Sequence, residues 1–284
     1  MRPRQAGTPN PRRGRPGWQV LVLALWLTGL WQAAAATPPP LAGRLGELFA
    51  GNASSIDNAE PEPVGQLDAE LDLTYAHNHQ TNFAELPLNL TYGLFPRWDI
   101  SATAGGVWDS YATSDGGTQS ADGLGDLFLN SKLKLLDQER FWATQSIEFG
   151  LKLPTASASQ GLGTGSPDYD LTWLLTRNLT DSLAVDVNLG YTWIGNGPDG
   201  PLNNQVHYGA AVEFQATRQL NLVGQVLVAT PTGHLGETEA AVNAGLGWRL
   251  SRQFSAHASV TKGLGHLIGV IGTVGVTWTF GARH

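Results

Sequence analysis

From Gln66 onward the chain alternates polar and apolar residues with a period of two. The first run, Gln66-Leu67-Asp68-Ala69-Glu70-Leu71-Asp72-Leu73-Thr74-Tyr75, does so without a break. Successive side chains of a strand point to opposite faces, so this run carries one charged face and one apolar face. The pattern returns at Ala84–Tyr92, Trp98–Trp108, Gly125–Leu135, Trp142–Pro154, Asp168–Leu175, Leu183–Trp193, Gln205–Ala216, Leu220–Ala229, Glu239–Leu250, Phe254–Lys262 and Ile268–Phe280. Most of these runs have about the 9 to 11 residues with which a tilted strand crosses hydrocarbon. Together they predict an all-β fold, a transmembrane antiparallel up-and-down β-barrel of about twelve strands over residues 66–280. An even count returns both ends of the barrel to the same side of the membrane.

The connections and the two faces sharpen this expectation. With the N-terminal end of the barrel on the inside, the inner turns are short: Gly93–Arg97, Thr217–Gln219, Ser251–Gln253. The outer loops Ala112–Leu124, Thr155–Pro167 and Ile194–Asn204 are long and rich in Gly, Ser, Asp and Pro. That asymmetry belongs to outer-membrane barrels. In the apolar register of all twelve segments there is no Asp, Glu, Lys, Arg or His. Lipid explains the exclusion, because a cation facing the bilayer midplane costs roughly 2 to 4 kcal/mol. The opposite register holds the candidate lumen residues Asp68, Glu70, Asp72, Glu85, Asp99, Asp126, Lys132, Lys134, Glu148, Lys152, Asp170, Asp186, Glu213 and Arg249. Such a charged interior is no dry core. Aromatics of the apolar register gather toward strand ends, with Tyr92, Trp98, Phe214, Trp248, Phe254, Trp278 and Phe280 inside and Tyr75, Tyr169, Tyr191, Trp193 and Tyr208 outside, which gives two interfacial girdles. One segment fits less well: in Leu220–Ala229, Val223 and Leu227 fall in the polar register.

The N-terminal region changes the picture from membrane protein to exported membrane protein. Arg2, Arg4, Arg12, Arg13 and Arg15 precede an apolar run Val20–Leu30 and then Gln32 with four alanines. This order is that of a secretory signal peptide, expected over residues 1–36, and the apolar run is too short for a helical span. Residues 37–65 are rich in Pro, Ala and Gly and read as a periplasmic linker or small lumen plug, with one or two helical turns near Leu41–Ala50. Residues 281–284 form a C-terminal tail. Only 14% of residues are charged, against about 25% in soluble proteins. Removal of five arginines leaves 17 − 5 = 12 basic residues against 24 acidic ones, a net charge of −12, so no nucleic-acid partner is expected. With no cysteine, disulfides and thiolate metal sites are excluded.

Several stretches resemble the outer-membrane barrel family of transporters associated with the phenol meta-pathway of degradation. They are Gly123-Leu124-Gly125-Asp126-Leu127 leading to Lys132, Leu151-Lys152-Leu153-Pro154-Thr155 before a Gly-rich loop, Val187-Asn188-Leu189-Gly190-Tyr191, and the closing Val276-Thr277-Trp278-Thr279-Phe280. The resemblance spans about residues 66–280. It implies a channel or transporter for small, aromatic or hydrophobic solutes in the cell outer membrane of a Gram-negative bacterium, and it assigns no binding residue. Phe280 is followed by four residues, a departure from barrels whose last strand ends on the aromatic read by the insertion machinery.

Candidate chemistry adds little. Asp68, Glu70 and Asp72 share a strand face and raise a negative local potential, which either steers cations or is neutralised across the lumen by Lys132, Lys134, Lys152 and Arg249. His257 and Ser259 share a face as a minimal base and nucleophile, yet side chains two apart on a strand sit roughly 7 Å apart at the backbone, and no third group orients the base. No catalytic residue, metal site or cofactor is therefore expected. The expected partners are outer-membrane lipid, a small-molecule solute and the barrel insertion machinery; the alternatives are a non-conducting structural or adhesion barrel and an outer-membrane lipid hydrolase.

Overall fold

The computed structural model describes residues 55–77, 81–112, 117–197, 200–230, 238–265 and 269–281. The expected leader, the stretch Leu41–Ala50 and the last three residues lie outside them. Thirteen strands follow in chain order: β1 Leu67–His77, β2 Thr81–Phe95, β3 Trp98–Ala112, β4 Thr118–Leu124, β5 Leu127–Leu136, β6 Thr144–Leu153, β7 Asp168–Thr180, β8 Leu183–Trp193, β9 Gln205–Gln215, β10 Leu220–Ala229, β11 Glu239–Arg249, β12 Phe254–Gly263 and β13 Val270–Phe280. All pairings are antiparallel and join sequence neighbours except at β4 and β5, and β13 pairs with β1 from Leu67↔Phe280 to His77↔Val270, which closes the sheet. Closure removes the edges of the wall, and among the described residues β4 pairs with β3 alone.

Thirteen strands fill twelve positions in the wall. β3 pairs with β5 at Trp98–Thr103 and with β4 at Gly106–Ala112, so β4 and β5 stand end to end beside it. The break falls at Gly125 and Asp126, where Gly125 N still donates to Gly105 O (2.9 Å). The stretch expected as a loop, Ala112–Leu124, is thus largely strand. Its sequence, Thr-Gln-Ser-Ala-Asp-Gly-Leu, shows no alternation, because a hairpin that projects past the bilayer has no lipid to face and need not segregate its side chains. The other strands match the expected segments closely, with β2 extended at both ends, β3 at its loop end and β7 at its turn end. We call the two rims the turn end, where both barrel termini lie, and the loop end.

The two registers separate as the alternation requires. Leu71, Leu73, Leu88, Leu90, Leu133, Leu171, Leu189, Val212, Val274 and Val276 point outward, while Glu148, Lys152, Asp168, Asp170, Thr172, Asp186, Asn188 and His207 are buried inside. Outward aromatics mark both rims: Tyr92, Phe214, Trp248, Trp278 and Phe280 at the turn end, Tyr75, Tyr169, Tyr191, Trp193 and Tyr208 at the loop end. Within these girdles Trp278 stacks on Phe280 at 4.9 Å, and Tyr191 meets Trp193 edge to face at 4.8 Å.

Residues 55–65 precede β1 and turn back into the barrel. Ala59 N donates to Thr176 Oγ1 (2.7 Å), whose hydroxyl donates to Asp186 Oδ1 (2.6 Å), and Ser146 Oγ donates to Ala59 O. Ile56 packs against Ala211, Leu227 and Ala241. Leu227 therefore keeps its place in the inward register although it is apolar. It supplies a greasy seat for Ile56 rather than a face for lipid.

Candidate functional site: the lumen

The barrel interior divides into two unlike halves. Along β5–β9 the inward side chains are packed into a continuous polar network. Lys152 Nζ lies 2.6 Å from Asp168 Oδ2 and 3.7 Å from Asp126 Oδ2, and donates to Thr164 Oγ1 (2.9 Å). Asp126 in turn accepts from Ala156 N (2.9 Å), so this cluster pins the loop after β6 over the loop end of the lumen. Asp170 accepts from the hydroxyls of Thr172 (2.6 Å) and Thr192 (2.7 Å), and its Oδ2 lies 2.8 Å from His207 Nε2. Buried charges hold only when their lone pairs are met in this way.

The entering segment completes the network at the turn end. Lys132 Nζ reaches Glu148 (3.9 Å), Asp57 (4.0 Å) and the Asn58 carbonyl (3.3 Å). Lys134 Nζ pairs with Glu60 (2.7 Å) and Asp137 (3.2 Å), and Arg97 pairs with Asp137 from the other side (2.8 Å). The Lys134 ammonium, together with Arg97, holds the Asp137 carboxyl below its ordinary range. Glu62 N donates to Asp99 Oδ2 (2.8 Å), while the Glu62 carboxylate accepts from Gln66 Nε2 (2.7 Å). Burial, with the negative charges of Asp68 and Asp99 beside it, pushes Glu62 from 4.5 up to about 7.

The other half, formed by β10–β13 and β1–β3, faces an open cavity of about 870 Å3. Asp57, Glu60, Glu62, Glu70, Asp72, Glu85, Asp99, Asp109, Asp126, Glu148 and Asp168 line it, eleven carboxylates, against the two ammonium groups of Lys132 and Lys152. Phe83, Val107, Leu162, Ile194 and Leu202 form an apolar collar at its loop end. Uncharged polar groups on β10–β13, among them Asn221, Gln225, Asn243 and Thr261, complete the wall.

Of the fourteen residues read from sequence as lumen candidates, eight line the cavity: Glu70, Asp72, Glu85, Asp99, Asp126, Lys132, Glu148 and Lys152. Asp170 and Asp186 are buried in the packed half. Asp68 sits at the turn end, accepting from Gln66 Nε2 (3.2 Å), and Lys134 belongs to the turn-end clasp. Glu213 is half-buried near the turn end of β9, and Arg249 is exposed at the last residue of β11, so the structure does not bring Arg249 to the acidic cluster of β1. Three contributions escape the alternation argument. Asp57, Glu60 and Glu62 lie before the first strand, where no period exists to orient them. His207 and Asp168 are in the inward register and would have been found by counting histidines and strand-edge residues as lumen groups. His257 directs Nε2 at Asp72 Oδ1, 2.9 Å away.

Residues 46–266 match the family described as "Putative MetA-pathway of phenol degradation". The chain belongs to that family. No protein of curated function matches it. Among solved structures, an outer membrane channel from Pseudomonas putida F1 is similar with a TM-score of 0.69 at 14% identity, over 80% of this chain and 100% of that one. The NanC porin aligns at 0.53 and 12% identity over 74% of this chain and 98% of its own. The transport unit of the autotransporter AIDA-I from Escherichia coli aligns at 0.54 and 8% identity, over 84% and 98%. At these identities the family member shares with them the barrel fold.

Proposed function

We propose that this protein is an outer-membrane channel for small solutes, working without catalysis. The observation that carries the reading is the cavity of about 870 Å3 held inside a closed barrel whose outer face is apolar. A twelve-stranded barrel lies between the eight strands that side chains fill and the sixteen that leave a wide aqueous channel, so an interior with one packed and one open half suits a narrow passage. The family description and the channels among the similar structures support transport over adhesion or hydrolysis. The apolar collar at the loop end suits capture of small hydrophobic or aromatic molecules, which then meet an acidic lumen. On this reading residues 1–36 are removed on export, the mature chain starts near Thr37, and residues 37–65 are a periplasmic linker or small plug, of which residues 55–65 narrow the lumen. Outer-membrane lipid and the barrel insertion machinery are the remaining partners.

The charge balance fixes the electrical signature. Eleven carboxylates against two ammonium groups favour cations, and screening weakens the preference only as salt rises, because the Debye length is roughly 10 Å at 0.1 M. Single-channel recording in planar bilayers should give a reversal potential of cation-selective sign under a KCl gradient. The triple variant Asp68→Asn, Glu70→Gln, Asp72→Asn should lower the selectivity while the apolar face, and hence assembly, stays intact. Anion preference in the wild type would overturn the electrostatic argument. A folded barrel that passes no current would favour the non-conducting reading, with residues 55–65 as a permanent plug.

A further inference from the structure

We propose that Glu70, Asp72 and His257 form a binding site for one divalent transition-metal ion of the zinc type on the open wall of the lumen. The trio comes from two strands that are not neighbours. Asp72 on β1 and His257 on β12 both stand opposite Gly275 of the intervening β13. A side chain at Gly275 would fall on Asp72 Oδ1 and on the His257 ring, so the glycine is what lets the carboxylate and the imidazole meet across a strand. Glu70 follows on the same face of β1, oriented by Thr277 Oγ1, which donates to Glu70 Oε2 (3.0 Å).

Their potential ligand atoms all lie within 4.8 Å of one another. A tetrahedral ion with bonds of about 2.1 Å holds its ligand atoms about 3.4 Å apart, which small side-chain rotations reach here. One imidazole nitrogen with two carboxylate oxygens is a ligand set for zinc and neighbouring first-row ions, and the cavity leaves a fourth position open to water or solute. Asp72 Oδ1 is shielded from solvent and faces His257 Nε2 at 2.9 Å, so the carboxylate and the imidazole already converge on one point of the wall, and both residues line the cavity. In the packed half, Asp170 beside His207 already accepts from two threonine hydroxyls.

The test is independent of conduction. Purified full-length barrel in detergent, stripped with a chelator, is titrated with ZnCl2 and with MgCl2 by calorimetry. Wild type should bind one zinc ion saturably and magnesium at least tenfold more weakly. His257→Ala and Asp72→Asn should each weaken zinc binding at least tenfold while still migrating as heat-modifiable, folded barrels. If the variants do not fold, zinc-edge absorption spectroscopy of the wild type serves instead and should report one imidazole with oxygen ligands at about 2.0 to 2.1 Å. Absence of saturable zinc binding, unchanged affinity in folded His257→Ala, or a zinc shell with no imidazole or several would each overturn the proposal.

Discussion

The barrel contains two histidine–aspartate pairs that reach over a glycine of an intervening strand, and the two differ in register and in surroundings. On β12, β13 and β1, His257 and Asp72 both stand opposite Gly275; on β9, β8 and β7, His207 stands opposite Gly190 and meets Asp170 diagonally, two residues before Gly190's partner Thr172. In both, a glycine on the middle strand removes the side chain that would keep the outer two strands' residues apart. The His207 and Asp170 side chains are 3% exposed, and the carboxylate has three donors or partners. The side chains of His257 and Asp72 are 30% and 20% exposed, and face the cavity. Like pairings thus serve different ends according to what surrounds them: a pair held by further donors ties strands together, whereas a pair beside the cavity is accessible to a ligand.

The largest expected effect tests whether the first pair is structural. Asp170→Ala strands the buried His207 ring and two threonine hydroxyls, and each buried polar group left without its partner costs about 1 to 3 kcal/mol. Asp72→Ala removes a group whose neighbours can turn to lumen water, and should cost under about 1 kcal/mol. Urea unfolding of the two variants in lipid vesicles should therefore show a large drop in midpoint for the first and little change for the second. Equal losses would erase the distinction between the halves.

How much of this was visible in the sequence follows from what makes a residue periodic. Lipid forbids charge on one face of every spanning strand, so residues such as Leu133 and Leu189 announce both the strand and its register, and the closed wall was legible in full. The inward register told which side chains enter the lumen but not which of them meet, since that depends on strand pairing across the barrel. His257 and Asp72 are 185 positions apart in sequence numbering (257 − 72), and only the β1–β13–β12 order brings them together. Two other features were hidden for opposite reasons: β4 lies beyond the lipid and has no pattern to show, and residues 55–65 reach the lumen as an irregular chain whose partners are all supplied by the wall.

The middle-sized effect separates the pairs through their glycines. A Cβ at Gly190 would strike the His207 ring and Thr172 Oγ1, both locked in the buried network. Overpacking of that kind costs about 1 to 3 kcal/mol. At Gly275 the Cβ would meet Asp72 Oδ1 and the His257 ring, which are free to swing into the cavity. Gly190→Ala should therefore lower the unfolding midpoint, while Gly275→Ala should leave it nearly unchanged and instead weaken zinc binding by at least tenfold. A Gly275→Ala variant that binds zinc like the wild type would show that the two side chains need not meet, and would leave the pairs alike.

The smallest effect concerns the segment that lies between the two halves. Glu62 is raised from 4.5 to about 7 in its seated position, first by burial and then by Asp68 and Asp99. A carboxyl whose folded value is raised binds its proton more tightly when seated than when released, so its contribution to seating is complete below about pH 4.5 and is lost as pH rises through about 7. The Lys132 ammonium opposes this shift without cancelling it. Residues 56–63 should accordingly be held more firmly at pH 5.5 than at pH 8. Hydrogen–deuterium exchange of a peptide covering them, corrected for the intrinsic pH dependence of amide exchange, would read this as greater protection at the lower pH. In Glu62→Gln the titrating group is gone while the amide hydrogen bond from residue 62 to Asp99 remains, so the difference between the two pH values should shrink. The effect is small because Glu62 is only half-buried and lumen water screens it. Greater protection at pH 8 in the wild type would reverse the sign of the argument, and an unchanged pH response in Glu62→Gln would transfer the titration to the wall carboxylates of the open half.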